Sequence, residues 1–136
     1  MAEHYRTISK KEKTEIVIQK SRFIGHVAGV ETEEEALQFL DGIRKEHREA
    51  SHNCFAYVVG KKQEIQRFND DGEPGGTAGM PILEVIKNNG LTNVIVVVTR
   101  YFGGILLGAG GLVRAYSQAA AEVIRKGGIS IYTSSL

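Results

Sequence analysis

Val94-Ile95-Val96-Val97-Val98-Thr99-Arg100-Tyr101-Phe102-Gly103-Gly104-Ile105-Leu106-Leu107-Gly108-Ala109-Gly110-Gly111-Leu112 is the stretch that decides how this chain is read. Its opening residues are β-branched, as a buried strand prefers, and the residues from Leu112 to Lys126 place apolar side chains at helical spacing. Strand, glycine loop and helix therefore follow one another. Arg100 and Arg114 bracket the loop and are the only charges between Asn88 and Ala121. Gly103, Gly104, Gly108, Gly110 and Gly111 could turn backbone N–H groups toward an anion at the positively polarised helix N-terminus. They could equally let strand and helix approach closely, and the sequence holds these two readings level.

Upstream of this unit, Thr14 to Gln19 alternates with Ile16 and Ile18 on one face, and Arg22 to Val30 follows after Lys20-Ser21, which predicts a hairpin. Thr32 and Glu35 have capping-box spacing. Ala36, Leu37, Leu40 and Ile43 then share a face, with acids in the first turn and Arg44, Lys45 and Arg48 in the last, so a helix is expected from Thr32 to Arg48. His52 to Val59 and Gln63 to Phe68 read as antiparallel strands around Gly60-Lys61-Lys62. Asn69 to Gly79 reads as a loop, and Pro81 to Asn88 as a short helix closed by Asn89-Gly90. The last helix should bury Leu112, Tyr116, Ala119, Ala120 and Val123. The order ββαββαβα predicts an α+β two-layer sandwich, an antiparallel or mixed sheet of four to five strands with helices on one face. Residues 1–128 form the expected domain. The tail 129–136 starts a further strand that either joins the same sheet or opens a following domain.

Composition bounds the function. With 136 residues, 42% hydrophobic and 24% charged, the chain is long enough for one domain with its own core. A net charge of +1 gives no general basic field, so a nucleic-acid partner would need a local patch. Cys54 is the single cysteine, which rules out an internal disulfide and a multi-cysteine zinc site. Charges at Glu3, His4 and Arg6 leave no apolar signal segment, and no apolar run approaches a membrane span. A cytoplasmic monomer or weak dimer with no membrane partner is the expectation.

The second glycine loop, Asn69-Asp70-Asp71-Gly72-Glu73-Pro74-Gly75-Gly76-Thr77-Ala78-Gly79, carries three carboxylates. Asp70, Asp71 and Glu73 lack the alternating spacing of a calcium loop. Pairing with Arg100, Arg114 or Arg22, which would fix the two glycine loops together, is the favoured reading, and neither metal nor cofactor is expected. The Gly103–Gly111 loop has no lysine before a Ser or Thr, which excludes a Walker-type nucleotide site. His52 and Cys54 share a strand face, yet a strand cysteine is usually a small buried hydrophobe. Tyr57, Tyr101 and Phe102 could stack on bases if exposed.

Four stretches in order together resemble the IMPACT family: Lys20-Ser21-Arg22-Phe23-Ile24-Gly25, Ser51 to Tyr57, Asp70 to Leu83, and Val97 to Tyr116. The resemblance covers Thr14 to Lys126. It implies an α+β fold like domain IV of elongation factor G and the second domain of a small-subunit ribosomal protein. Eukaryotic members of that family regulate translation under amino-acid starvation by competing for the activator of an initiation-factor kinase, and bacterial relatives append a second domain like the last domain of elongation factor G. The chain departs from the family pattern at Gly75, where a serine is common, and at Leu106, where a lysine is common. The expectation is a non-enzymatic module of translation regulation and stress response. It would bind RNA, the ribosome or a translation-associated protein through a face containing Arg22, Asp70, Asp71, Glu73, Thr77, Arg100, Tyr101, Phe102, Gly103, Gly104, Gly108, Gly110, Gly111 and Arg114. A small-molecule enzyme using the same cleft, with Arg100 and Arg114 on an anionic substrate and Asp70 or Glu73 as base, is the rival, and a purely protein-binding surface is the third reading.

Overall fold

The computed structural model of the chain describes residues 2–135. The elements are β1 (Ala2–Ile8), β2 (Glu12–Ile18), β3 (Ser21–Gly29), α1 (Glu33–Glu46), β4 (His52–Val59), β5 (Ile65–Asn69), α2 (Gly79–Asn88), β6 (Val94–Tyr101), α3 (Gly108–Gly127) and β7 (Ile129–Ser135). Five strands form one sheet in the order β2-β3-β6-β4-β5, and every neighbouring pair is antiparallel. The α+β class and the antiparallel sheet are those expected from the sequence.

Helices cover both faces of that sheet, where the sequence reading placed them on one. Val94, Val96 and Val98 of β6 and Cys54, Ala56 and Val58 of β4 pack with Ile82, Ile86, Leu112, Tyr116 and Val123 of α2 and α3. Alternate residues of the same strands, Ile95, Val97, Phe55, Tyr57 and Val59, pack with Ala36, Leu40 and Ile43 of α1. A central strand buried on both faces has no polar side to show, which is why β6 reads as an unbroken apolar run. Thr32 caps α1 by accepting from the Glu35 amide at 3.1 Å, and the Glu35 carboxylate reaches back to the Glu31 amide, also at 3.1 Å.

Two further differences bear on the site. β1 was not anticipated, and the tail strand β7 pairs with it in a separate two-stranded ribbon instead of joining the five-stranded sheet. Tyr5 stacks on Tyr132 across the ribbon with ring centroids 5.7 Å apart. The last helix begins at Gly108, so Gly110 and Gly111 lie in its first turn and Arg114 in its second; the glycines override their loop signal because apolar positions behind them pin the helix. Among the described residues no helix is long and apolar enough to cross a membrane.

Candidate functional site

The acidic loop between β5 and α2 is built from its own carboxylates. Asp70 accepts from the backbone N–H groups of Gly76 at 3.0 Å, Ala78 at 3.1 Å and Gly79 at 2.7 Å, and so caps α2 from outside the helix. Asp71 accepts from the Asn53 amide at 2.6 Å, which ties the loop to β4. Thr77 is buried, its hydroxyl donating to the Pro74 carbonyl at 2.6 Å. Among the described residues neither aspartate pairs with an arginine. The expected pairing between the two glycine loops is made by Glu73 alone.

Glu73 is the hub of the site. It is 8% exposed and accepts from Arg100 Nη1 at 2.8 and 3.2 Å through its two oxygens. The Tyr116 hydroxyl donates to it as well, and His52 Nε2 stands 3.4 Å away. Burial pushes the Tyr116 hydroxyl well above its ordinary range, so it keeps the proton it donates. Arg100 is 4% exposed, and its Nε and Nη2 both donate to Ser21 Oγ at 3.2 Å. All three guanidinium nitrogens are therefore engaged inside the protein. His52 is held in turn by Nδ1 at 2.8 Å from the Asp71 carbonyl.

Cys54 does not join His52 in a nucleophilic pair. Its thiol donates to the Asp70 carbonyl at 3.1 Å, and burial raises its pKa out of the reactive range. Arg22 forms a two-pronged ion pair with Glu15 at 3.0 and 3.1 Å and lies over the Tyr101 ring, 5.0 Å from its centroid. Tyr101 meets His47 Nδ1 through its hydroxyl at 2.7 Å. Both therefore belong to the sheet face opposite α3. Arg114 is exposed and makes no hydrogen bond or ion pair among the described residues.

The glycines divide by cause. A Cβ on Gly103 would stand 2.0 Å from the Lys20 carbonyl oxygen, so this residue lets the loop lie against the β2–β3 turn. Gly104 and Gly108 have φ of +89° and +75°, where a side chain is strained. At Gly110 a Cβ would meet only the flexible Arg114 side chain, at 3.4 Å. No side chain caps the start of α3, and its first turn has no acid. Close approach thus explains Gly103, while the space before Gly110 is open.

Above this floor lies an apolar crest. Leu106 is 85% exposed, with Phe102 at 48%, Ile105 at 38% and Val113 at 37%. Two grooves flank it. One, of about 380 Å³, runs over His52, Glu73 and Arg100 between Pro74, Phe102 and Leu112. The other, of about 340 Å³, lies between Ile18, Gln19, Gly111 and Arg114, and Leu106 and Leu107 wall both. Residue reading missed Ser21, Tyr116 and His52 as members of the Glu73 network. Tyr116 carried a usable signal, since a tyrosine on the buried face of a helix needs a partner for its hydroxyl.

The profile of the Impact N-terminal domain matches residues 19–124. The chain is 53% identical over 129 residues to the IMPACT family member YvyE of Bacillus subtilis, covering 95% of this chain and 59% of that protein. It is 45% identical over 111 residues to the IMPACT family member YigZ of Escherichia coli, covering 80% of this chain and 54% of that protein. The chain thus spans less than two thirds of the length of these curated relatives. Among solved structures, a protein described as hypothetical superposes with a TM-score of 0.90 at 39% identity, over 96% of this chain and 65% of that one. The two-domain translational regulator Yih1 gives a TM-score of 0.52 at 28% identity, over 90% of this chain and 47% of that one.

Proposed function

The chain belongs to the IMPACT family, and on that premise we propose that it is a translation-associated regulator that acts by docking a partner on the face around Leu106. The likeness to Yih1, a translational regulator, supports the first half of this reading. One observation carries the second: a leucine 85% exposed at the meeting of two grooves, over a floor held by the Glu73–Arg100 pair. An apolar crest on a rigid base is what a partner can cover. The same floor ties Glu73 to Arg100 and Tyr116 and Asp70 to three backbone amides, which supports a structural role for both carboxylates.

A cell-free translation reaction supplemented with purified chain tests the reading. Wild-type protein should change reporter yield in proportion to its concentration, and folded Leu106→Asp should leave the yield near that of the unsupplemented reaction. Equal effects of the two proteins, or none from either, would reject the docking face as the source of regulation.

A further inference from the structure

We infer that the groove pair around Leu106 takes a polypeptide segment that is both aliphatic and acidic, in preference to an RNA strand; this rests on the docking face proposed above. RNA is held chiefly by cations free to meet phosphates. Of the three arginines read from the sequence as candidates, Arg100 gives its guanidinium nitrogens to Glu73 and Ser21, and Arg22 lies on the opposite sheet face, paired with Glu15. Among the described residues, Arg114 and the exposed Lys20, whose turn lies against Gly103, are the unpaired cations beside the face. Two free cations are too few for a backbone that carries a charge at every nucleotide.

The face suits a carboxylate flanked by apolar side chains. Leu106 and Leu107 divide the two grooves, and Phe102 and Leu112 extend the apolar lining on one side. Arg114 lines the other groove, two residues beyond Leu112. The uncapped start of α3 adds positive potential beside it, and the first turn contains no acid to neutralise it. Charge complementarity therefore selects an acidic partner, and the apolar walls select leucine-like or aromatic anchors beside the acid.

Selection from a random peptide library displayed on phage, run on the whole chain beside a pool of random single-stranded RNA, tests this. Enriched peptides should combine Asp or Glu with Leu, Ile or Phe. Titrated by fluorescence polarisation, the best peptide should lose about tenfold or more in affinity to Leu106→Asp and to Arg114→Glu. Replacing its acid by lysine should restore affinity to Arg114→Glu and not to wild type. Far-UV circular dichroism establishes that each variant is folded. Basic or neutral winners, or winners indifferent to Arg114→Glu, overturn the inference. RNA that binds more tightly than any peptide and is lost in the same variants also overturns it, while leaving the face as a docking surface. Winners indifferent to both substitutions remove the face itself.

Discussion

Removing the Arg100 side chain tests whether the floor of the site is structural. Arg100→Ala leaves the Glu73 carboxylate, 8% exposed, with the Tyr116 hydroxyl and a histidine nitrogen at 3.4 Å as its remaining polar neighbours. It also leaves Ser21 Oγ with one donor, the Gly103 amide at 3.2 Å. Breaking a buried pair from one side typically costs 3–5 kcal/mol, since the stranded charge keeps its desolvation penalty, so a loss of about 4 kcal/mol is expected. For a chain of this length that corresponds to a melting-temperature drop of roughly 12 °C. The chain has no tryptophan, so urea melts are best followed by circular dichroism together with tyrosine fluorescence. Glu73→Gln should cost a similar amount, and the double variant Arg100→Ala with Glu73→Gln should cost about 2 kcal/mol less than the sum of the two single changes. Arg114→Ala, made in parallel, should stay within about 0.5 kcal/mol of wild type. A loss below about 1 kcal/mol for Arg100→Ala, or strict additivity in the double variant, would refute the claim that Glu73 and Arg100 are a coupled buried pair.

Three more changes probe the surrounding framework. Burial among β3, β6 and α1, with His47 and Lys13 adding like charge, lowers the His26 pKa from 6.5 to about 4. Unfolded His26 therefore binds a proton first as pH falls, and its contribution of about 3 kcal/mol, complete above pH 6.5, is lost between there and about pH 4. Urea melts across that range should show a shallower pH slope for His26→Gln, and parallel slopes would dispose of the idea. Asp70→Ala should destabilise by about 2 kcal/mol, because three α2-side amides lose their acceptor, with Asp70→Asn roughly half as harmful in the same melts. Gln19 and Lys20 occupy the β2–β3 turn at φ of 48° and 65°, so Lys20→Gly should raise stability by about 0.5 kcal/mol, and a lower melting temperature would contradict the strain assigned there.

Much of the fold was legible because local signals agreed with the global arrangement. The Thr32–Glu35 capping pair placed α1 to within a residue at its start, and the alternation of Ile16 and Ile18 located the strand that packs against the core. β1 was illegible for a physical reason. Its stability comes from pairing with β7, more than a hundred residues away in sequence, and neither strand has an apolar face long enough to declare itself. The second helical layer was legible in principle: Val94 to Val98 and Cys54 to Val59 fail to alternate, and a strand apolar on both sides asks for a cover on both sides. Reading those runs only as strong strands left α1 on the wrong face.

The site was legible in its members and not in their roles. Oppositely charged residues on two glycine loops point correctly to a meeting between those loops, yet sequence alone cannot say whether such charges face a ligand or one another. Burial decides it. A guanidinium 4% exposed must be matched by neighbours before folding is possible, so Arg100, Glu73, Ser21 and Tyr116 complete each other and leave little charge to offer. Asp70 and Asp71 are likewise taken up by backbone amides. What remains for a partner is the part of the motif that carries no conspicuous chemistry: Leu106 at the crest, Phe102 beside it, and Arg114 one turn into α3 with no acid of its own. Asp70, Asp71, Glu73 and Arg100, the charged residues that make the sequence look like a catalytic or phosphate site, are hydrogen-bonded to one another's loops and to backbone amides beneath the apolar surface proposed for docking.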